Sequence, residues 1–322
     1  MSFSTFEVNN RPFSTLLPLE SELQFEAEKN YLFDLSYLAT LAVEGERARD
    51  FLQGQLSCDL RQVNSSTIRQ AAMCNLKGRV LSLIDVVEWQ SLQLVLPKDL
   101  IPATQLSLSK TAMLSRVKLE PTSTQIFGFY LTNQLDLLPV NISIPETDLG
   151  LSANSDTCCY RLSKQLYLIL VNKDQASKLC QPFSSKQQLR GSLAWHQLQL
   201  KRKAIEIYPQ TRGLFLPHRI DLHLSGYLSF DKGCYKGQEI VARTHYRAKL
   251  KHSLQLFTIE TSEPLNAGAK LFSSSGETEV GELIDCSPLG MDRYLIAASI
   301  LLEAPNEVLV EGHAQALQLA AF

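Results

Sequence analysis

Tyr227-Leu-Ser-Phe-Asp-Lys-Gly-Cys-Tyr-Lys-Gly-Gln-Glu-Ile-Val-Ala-Arg-Thr-His-Tyr-Arg247 is the stretch on which the reading of this chain turns. Residues 227–230 read as a strand, residues 231–237 hold two glycines around Cys234, and residues 238–247 carry Ile240, Val241 and Thr244 at helical spacing. The stretch therefore predicts a strand-to-helix elbow with Cys234 in the bend. Glycines there permit positive φ and let a ligand approach the backbone closely. Free N–H groups and the helix dipole lie just beyond the sulfur, and Lys232 and Lys236 add positive charge. Each of these favours thiolate over thiol, which predicts a nucleophilic or metal-ligating sulfur. The plain alternative is a small cysteine buried in a turn. Cys234 and Lys232 are the candidate catalytic residues.

Outward from the elbow, the chain alternates short apolar runs with helical segments. Residues 31–43 are largely apolar, residues 44–53 change to helical spacing, and Gly54 ends that helix. A hairpin follows, with arms at 68–74 and 80–89 and Asn75-Leu-Lys-Gly-Arg79 as its turn. Residues 92–96 predict a strand and 99–114 a helix. In the middle third, 125–131, 159–162 and 166–171 predict strands and 174–180 and 189–201 predict helices, with a long surface connection over 139–155. From His252 onward, β-prone runs at 254–259, 270–272, 280–284, 295–300 and 308–310 alternate with Gly, Pro and Asn turns, as in a small barrel. The expectation is an α+β protein with antiparallel sheets, one region over 1–248 of two interleaved subdomains, and a C-terminal β barrel over 249–322.

The 322 residues carry a formal charge of -2, 45% hydrophobic and 20% charged residues, the balance of a globular protein. That charge gives no global attraction to nucleic acid or to an anionic membrane, so a contact of either kind must come from a local patch. No strong direct nucleic-acid binding is expected. No apolar span reaches the ~20 residues a membrane helix needs, and residues 1–11 lack a signal-peptide core, so a cytoplasmic protein is expected. The 7 cysteines include no Cys-x-x-Cys pair, and adjacent Cys158 and Cys159 would face opposite sides of a strand. Reduced thiols and no self-contained metal site follow.

Lys232-Gly-Cys-Tyr-Lys-Gly-Gln-Glu239, continuing through Ile240-Val-Ala-Arg243, strongly resembles the signature of the YgfZ family. Phe51-Leu-Gln-Gly-Gln55, Cys58-Asp59, Asn75-x-Lys-Gly78, Ile207-Tyr-Pro209 and Phe215-Leu-Pro217 support it in the family's order. The resemblance covers roughly residues 30–320. It implies the fold of the glycine-cleavage T-protein around a central folate pocket, tetrahydrofolate binding, and a role in making or repairing iron–sulfur enzymes, including those that thiolate tRNA. Folate and such enzymes are the implied partners, with a transient iron–sulfur cluster contact at Cys234. Gln53, Gln55, Asn75, Lys77, Tyr235, Gln238, Glu239, Arg243, Glu206 and Asp221 are the implied cofactor-binding residues. The chain departs from the family at Lys201-Arg-Lys203, where relatives carry an acidic residue and glycines, and at Asp221, where relatives carry an amide; Glu206 is the nearest carboxylate to the first departure. The T-protein's catalytic acid corresponds to Ser82 or Leu83, with Asp85 nearby, which weakens an aminomethyl-transfer reading. The basic run Arg243, His245, Arg247, Lys249 and Lys251 reads as a solvated face or, beside a folate site, as a cradle for the folate tail or for the backbone of a tRNA partner, the whole-chain charge favouring the folate tail.

Overall fold

In the computed structural model, which describes residues 4–133 and 138–322, the chain leaves each of its first two sheets before that sheet is complete. The first sheet runs Arg69–Cys74, Val80–Trp89, Ser91–Pro97, Leu38–Glu44, Lys118–Pro121, all antiparallel. The second runs Leu151–Ala153, Thr157–Ser163, Leu166–Val171, Gln125–Tyr130, Tyr31–Asp34, Leu189–Arg190, antiparallel except for its last pair. Tyr31–Asp34 and Leu38–Glu44 therefore lie in different sheets, and Lys118–Pro121 and Gln125–Tyr130 repeat the crossing.

The sequence pattern explains which faces are covered. In Val80–Trp89 buried and half-buried residues alternate over most of its length, as a strand with one face on a core requires. Leu166–Val171 is buried throughout because both faces of its sheet are packed. Its neighbours Cys158 and Cys159 enter different cores, as a period of two dictates. Helix Lys173–Ser185 packs its buried Ala176, Leu179 and Phe183 with Cys159 and Ile169, and helix Ser192–Lys201 covers the opposite face. There Trp195 lies so close to Gly128 that a Cβ on the glycine would come within 2.3 Å of the indole.

Four expectations are corrected. Residues 189–201 split into the short strand Leu189–Arg190 and the helix Ser192–Lys201. Residues 227–230 form no strand, because their backbone is bonded to irregular chain and not to a ladder. The hairpin Ser4–Val8 with Arg11–Thr15 and the edge strand Lys118–Pro121 were not anticipated. The C-terminal β region is an open seven-stranded sheet, not a closed barrel, in the order Leu317–Gln318, Glu307–Val310, Lys270–Ser273, Glu279–Gly290, Arg293–Leu301, His252–Glu260, Ala320–Ala321. One short segment, 317–321, thus lies along both outer edges.

A buried polar network joins these parts. Arg11, 2% exposed, donates to both oxygens of Asp99 at 2.8 and 2.9 Å, to Glu206 Oε2 at 3.0 Å and to the Ile207 carbonyl at 2.7 Å. Tyr37 donates to Glu206 Oε1 at 3.0 Å. Asp285, from the C-terminal sheet, accepts from Tyr208 Oη at 2.6 Å, from the Glu206 amide at 2.9 Å and from the Cys286 amide at 2.8 Å, and lies 3.1 Å from His196 Nε2. Burial works against the Arg11 charge, and Glu206 and Asp99 more than offset it, so its pKa is raised. Removing one partner of such a network strands the other charge in a low-dielectric interior. Arg11→Met is expected to lower stability by about 3–5 kcal/mol, measured by urea unfolding; a loss within experimental error would show that the network is not holding the sheets.

Candidate functional site

A central cavity of ≈ 150 Å³ opens where the first two sheets meet the 202–227 segment. Leu83 and Asp85, two apart on Val80–Trp89, line it from the first sheet, and Gln70, the cross-strand partner of Asp85, stands beside them. Asp85 Oδ1 accepts from Gln70 Nε2 and Oδ2 from Tyr160 Oη, each at 2.9 Å. Burial raises the Asp85 pKa, and these two hydrogen bonds partly offset it. Across the cavity stand Glu206, Arg202, Lys203 and Tyr227. Burial also raises the Glu206 pKa, opposed first by Arg11, and it lowers that of Arg202. Two carboxylates, the amides of Gln70 and Gln199, the Arg202 guanidinium and the Lys203 ammonium therefore line one small space whose apolar walls include Leu38, Leu83, Leu168 and Trp195. A larger cavity of ≈ 520 Å³, lined by Asp34, Lys98, Thr122 and Cys180 among others, includes none of the residues that the sequence picked out.

The elbow is a second, separate construction. Lys232 is 6% exposed, and its ammonium donates to the carbonyls of Gln53, Leu56 and Cys58 at 2.7, 2.6 and 2.7 Å. It also stands 5.1 Å from the centre of the Tyr235 ring. Burial lowers its pKa to about 8, which Cys58 and Asp59 partly offset. The Lys236 amide donates to the Gly54 carbonyl at 3.1 Å and the Ser229 amide to that of Ser57 at 3.0 Å. The lysine thus pins the elbow onto the 53–58 turn, and its charge is used up by carbonyls. In this arrangement the Lys232 ammonium makes its hydrogen bonds to the carbonyls of the 53–58 turn.

Beneath the elbow the contact is backbone on backbone. Gly237 has φ +86°, and a Cβ there would lie 2.4 Å from the Asn75 carbonyl and 3.1 Å from Gly78 Cα. Gly78, at φ +69°, would place a Cβ 2.9 Å from that of Ile240. Asn75 Oδ1 closes the hairpin tip by accepting from the Lys77 and Arg79 amides at 2.9 and 3.1 Å. Gln53 spends its amide on Asp59 and the Leu60 N–H, at 3.1 and 2.7 Å, and Gln238 Oε1 accepts from the Tyr235 amide at 3.3 Å. The segments that carried the family resemblance at 53–55, 58–59, 75–78 and 232–239 are therefore one knot, in which Gln55 and Tyr235 are buried and Lys77 is exposed.

Cys234 is the exposed cysteine of this chain: Cys180 is half-buried and the other five are buried. Burial pushes Cys58 and Cys74 up to about 12 and Cys180 to about 11. On the motif helix, Gln238–Arg247, Glu239 and Arg243 pair with each other at 3.1 Å on the outer face. Asp221, in a left-handed conformation, accepts from the Leu254 amide at 3.0 Å and so ties the 217–220 turn to the C-terminal sheet. Of the residues predicted to bind a cofactor, Glu206 alone lines the central cavity. Asp85 was weighed from sequence only as a displaced acid; Gln70, Arg202 and Tyr227 were missed as lining residues. A charge flanked by apolar residues in a strand, as at Asp85 between Ile84 and Val86, was the available signal. Among the described residues no group of three or more His, Cys, Asp or Glu is placed to hold a metal ion.

No family model matches the chain. The crystal structure of the glycine cleavage system aminomethyltransferase T from Bartonella henselae superposes with a TM-score of 0.73 at 16% identity, over 99% of this chain and 93% of that one. The fold is therefore that of the aminomethyltransferase T class. Heterotetrameric sarcosine oxidase from Corynebacterium sp. U-96 aligns at a TM-score of 0.38, too loosely to bear on the fold. The tRNA-modifying protein YgfZ of Colwellia psychrerythraea strain 34H is 26% identical over 258 residues, 77% of this chain and 78% of that protein. Together with the octapeptide around Cys234, this makes the chain similar in sequence to a YgfZ protein across most of its length.

Two substitutions test the knot. Lys232→Met removes a charged donor from three carbonyls and is expected to lower stability by about 1.5–3 kcal/mol. Gly237→Ala, strained at positive φ and blocked by the Asn75 carbonyl, is expected to cost at least about 1 kcal/mol. Both should speed proteolytic cleavage within 229–237, and unchanged cleavage in both would mean that the elbow is not held in this way.

Proposed function

We propose that this protein binds tetrahydrofolate or a one-carbon derivative in the central cavity and presents Cys234 as a functional thiol in the assembly or repair of iron–sulfur enzymes, those that thiolate tRNA included. The observation that carries the reading is the pairing of a carboxylate-lined cavity with one exposed thiol held in a rigid elbow. The name of the Colwellia relative, a tRNA-modifying protein, supports the tRNA part. Absence of a helix long and apolar enough to cross a membrane, among the described residues, is compatible with a cytoplasmic site of action.

The cavity suits a pterin head by the chemistry of its donors. A pterin edge offers adjacent N–H donors and a carbonyl acceptor, so it needs acceptors and a donor in one plane. Asp85 and Glu206 supply acceptors with free lone pairs, and Arg202 or Gln70 supplies donors. The volume accommodates a ring system and leaves a tail outside. Bound folate would bring a one-carbon group; this chain's residues hold and orient it and keep Asp85 in a desolvated setting. At the elbow a lone thiol fills one position of a cluster that usually takes four. A cluster arriving there as cargo keeps its other ligands from the client or from small thiols.

A second reading is folate-linked aminomethyl or methyl transfer, or demethylation, and the half-buried Asp85, its pKa raised by desolvation, favours it as an acid or base displaced by two residues from Leu83. The two readings separate on Cys234→Ser. Under the first, the variant loses activity of cluster-containing enzymes in cells while folate binding persists; intact cluster enzymes would sink it. Under the second, Asp85→Ala abolishes release of formaldehyde from folate adducts.

The pH dependence follows from the sign of the Asp85 shift. Its pKa is raised in the folded chain, so its carboxylate protonates at a higher pH than an ordinary aspartate. A carboxylate that accepts pterin N–H groups must be ionised, so folate affinity is expected to fall as pH drops through that raised pKa. Asp85→Asn should weaken binding about 10-fold or more, as loss of a charged hydrogen bond does, and should flatten the pH profile, both read by titration calorimetry.

A further inference from the structure

The outer face of the motif helix carries a surface that neither the cavity nor the thiol uses. Arg243 and Arg247, one helical turn apart, are exposed, and Lys249 and Lys251 follow in the extended chain, also exposed. Lys236 lies half-buried at the elbow, and Glu239, paired with Arg243, and Asp231 are the nearby acids along this stretch. None of these residues lines the central cavity. Beside the cations is an aromatic ladder. Phe230 and His245 stack at 3.8 Å with 17° between their planes, and Tyr246 meets His245 edge-on at 4.8 Å. Tyr246 is 69% exposed. Under the ladder lies His218, 1% exposed, its centroid 5.8 Å from that of His245. Burial, reinforced by His223 and His245, lowers its pKa to about 4, so it backs the ladder as a neutral ring.

Cations in a row attract any polyanion, but open aromatic faces beside them select among polyanions. Bases stack on such rings only where they are unpaired, and stacking tolerates any sequence because every base has a π-face. An acidic peptide has no use for the rings, and a duplex keeps its bases out of their reach. A net charge of -2 for the whole chain makes the attraction local to this patch.

We propose that the face formed by Tyr246, His245, Arg247, Lys249 and Lys251 binds an unpaired segment of RNA, next to the elbow that displays Cys234. This goes beyond the folate and thiol reading and stands or falls independently of it. Binding is modest and strongly salt-dependent, because three or four cations meet phosphates at the surface.

The test is fluorescence anisotropy of the full chain with a labelled 15-nucleotide oligouridylate, a 15-base-pair RNA duplex, and polyglutamate of matched charge as competitor. The oligouridylate is expected to bind better than the duplex, with log K falling against log salt at a slope of about -2 to -3, from ~0.7 per neutralised phosphate on a single strand. Arg247→Ala/Lys249→Ala/Lys251→Ala should cut affinity at least 10-fold and flatten that slope. Tyr246→Ala should weaken binding about 5-fold or more, the loss of one stacked base, and leave the slope unchanged. All variants should retain the melting temperature and Cys234 alkylation rate of the parent, and Tyr246→Ala its folate binding as well, so a failure here is distinct from a failure of the folate and thiol roles. The proposal is overturned by no binding at low salt, by affinity that the triple variant leaves intact, or by polyglutamate competing as well as RNA while Tyr246→Ala is silent, which would mark the face as a dock for an acidic protein.

Discussion

The half-buried carboxylate of Glu206 and the fully buried one of Asp285 register the N-terminal hairpin, the 206–208 segment and the C-terminal sheet to one another. Asp285 comes from the C-terminal sheet, and its oxygens receive donors from the 206–208 segment and face His196 of the Ser192–Lys201 helix. Glu206 in turn binds Arg11 of the N-terminal hairpin and Tyr37, which lies between strands of the first two sheets. Non-directional apolar packing alone would let these layers slide, whereas hydrogen bonds to fixed carboxylates specify one arrangement. Because Glu206 also walls the cavity, the same atoms that set the relative positions of the sheets set the shape of the space between them. Polar residues in a core here define geometry as much as they contribute stability.

Much of the fold was legible. The hairpin arms, the long apolar strand Leu166–Val171 and the helix Gln238–Arg247 lie where periodicity puts them, because each buries one regular face. What was not legible fails for identifiable reasons. Ser4–Val8 and Arg11–Thr15 are half polar, and their signal lies in the turn: Asn9 and Asn10 both adopt positive φ, the mark of a tight hairpin. Residues 227–230 look like a strand but give their bonds to the 57 region, a tertiary partner that no local pattern encodes. A barrel and an open rolled sheet have the same alternation of strands and turns, so closure could not be read from spacing.

The candidate site was legible in part, and in an instructive way. Motif segments separated by up to two hundred residues assemble into one knot, which explains why their residue types are what they are. Gln53, Asn75 and Lys232 serve the shape of the elbow through their hydrogen bonds. A signature, in other words, marked the scaffold of the thiol more than the walls of the cavity. The walls are built from Asp85, Gln70 and Arg202, residues brought together by sheet register and by the crossing of the chain between sheets. Cavity and thiol are thus separately constructed, one by half-buried and exposed polar residues where the sheets meet and the other by backbone contacts at the surface.

The C-terminal sheet carries a consequence for handling and for life in the cell. Its two outer edges are covered by residues 317–318 and 320–321, neighbours in sequence that bracket Leu319. An uncovered strand edge is a template for pairing with another chain. A single nick or bulky attachment in that pentapeptide would therefore bare two edges at once, giving another chain two places to pair.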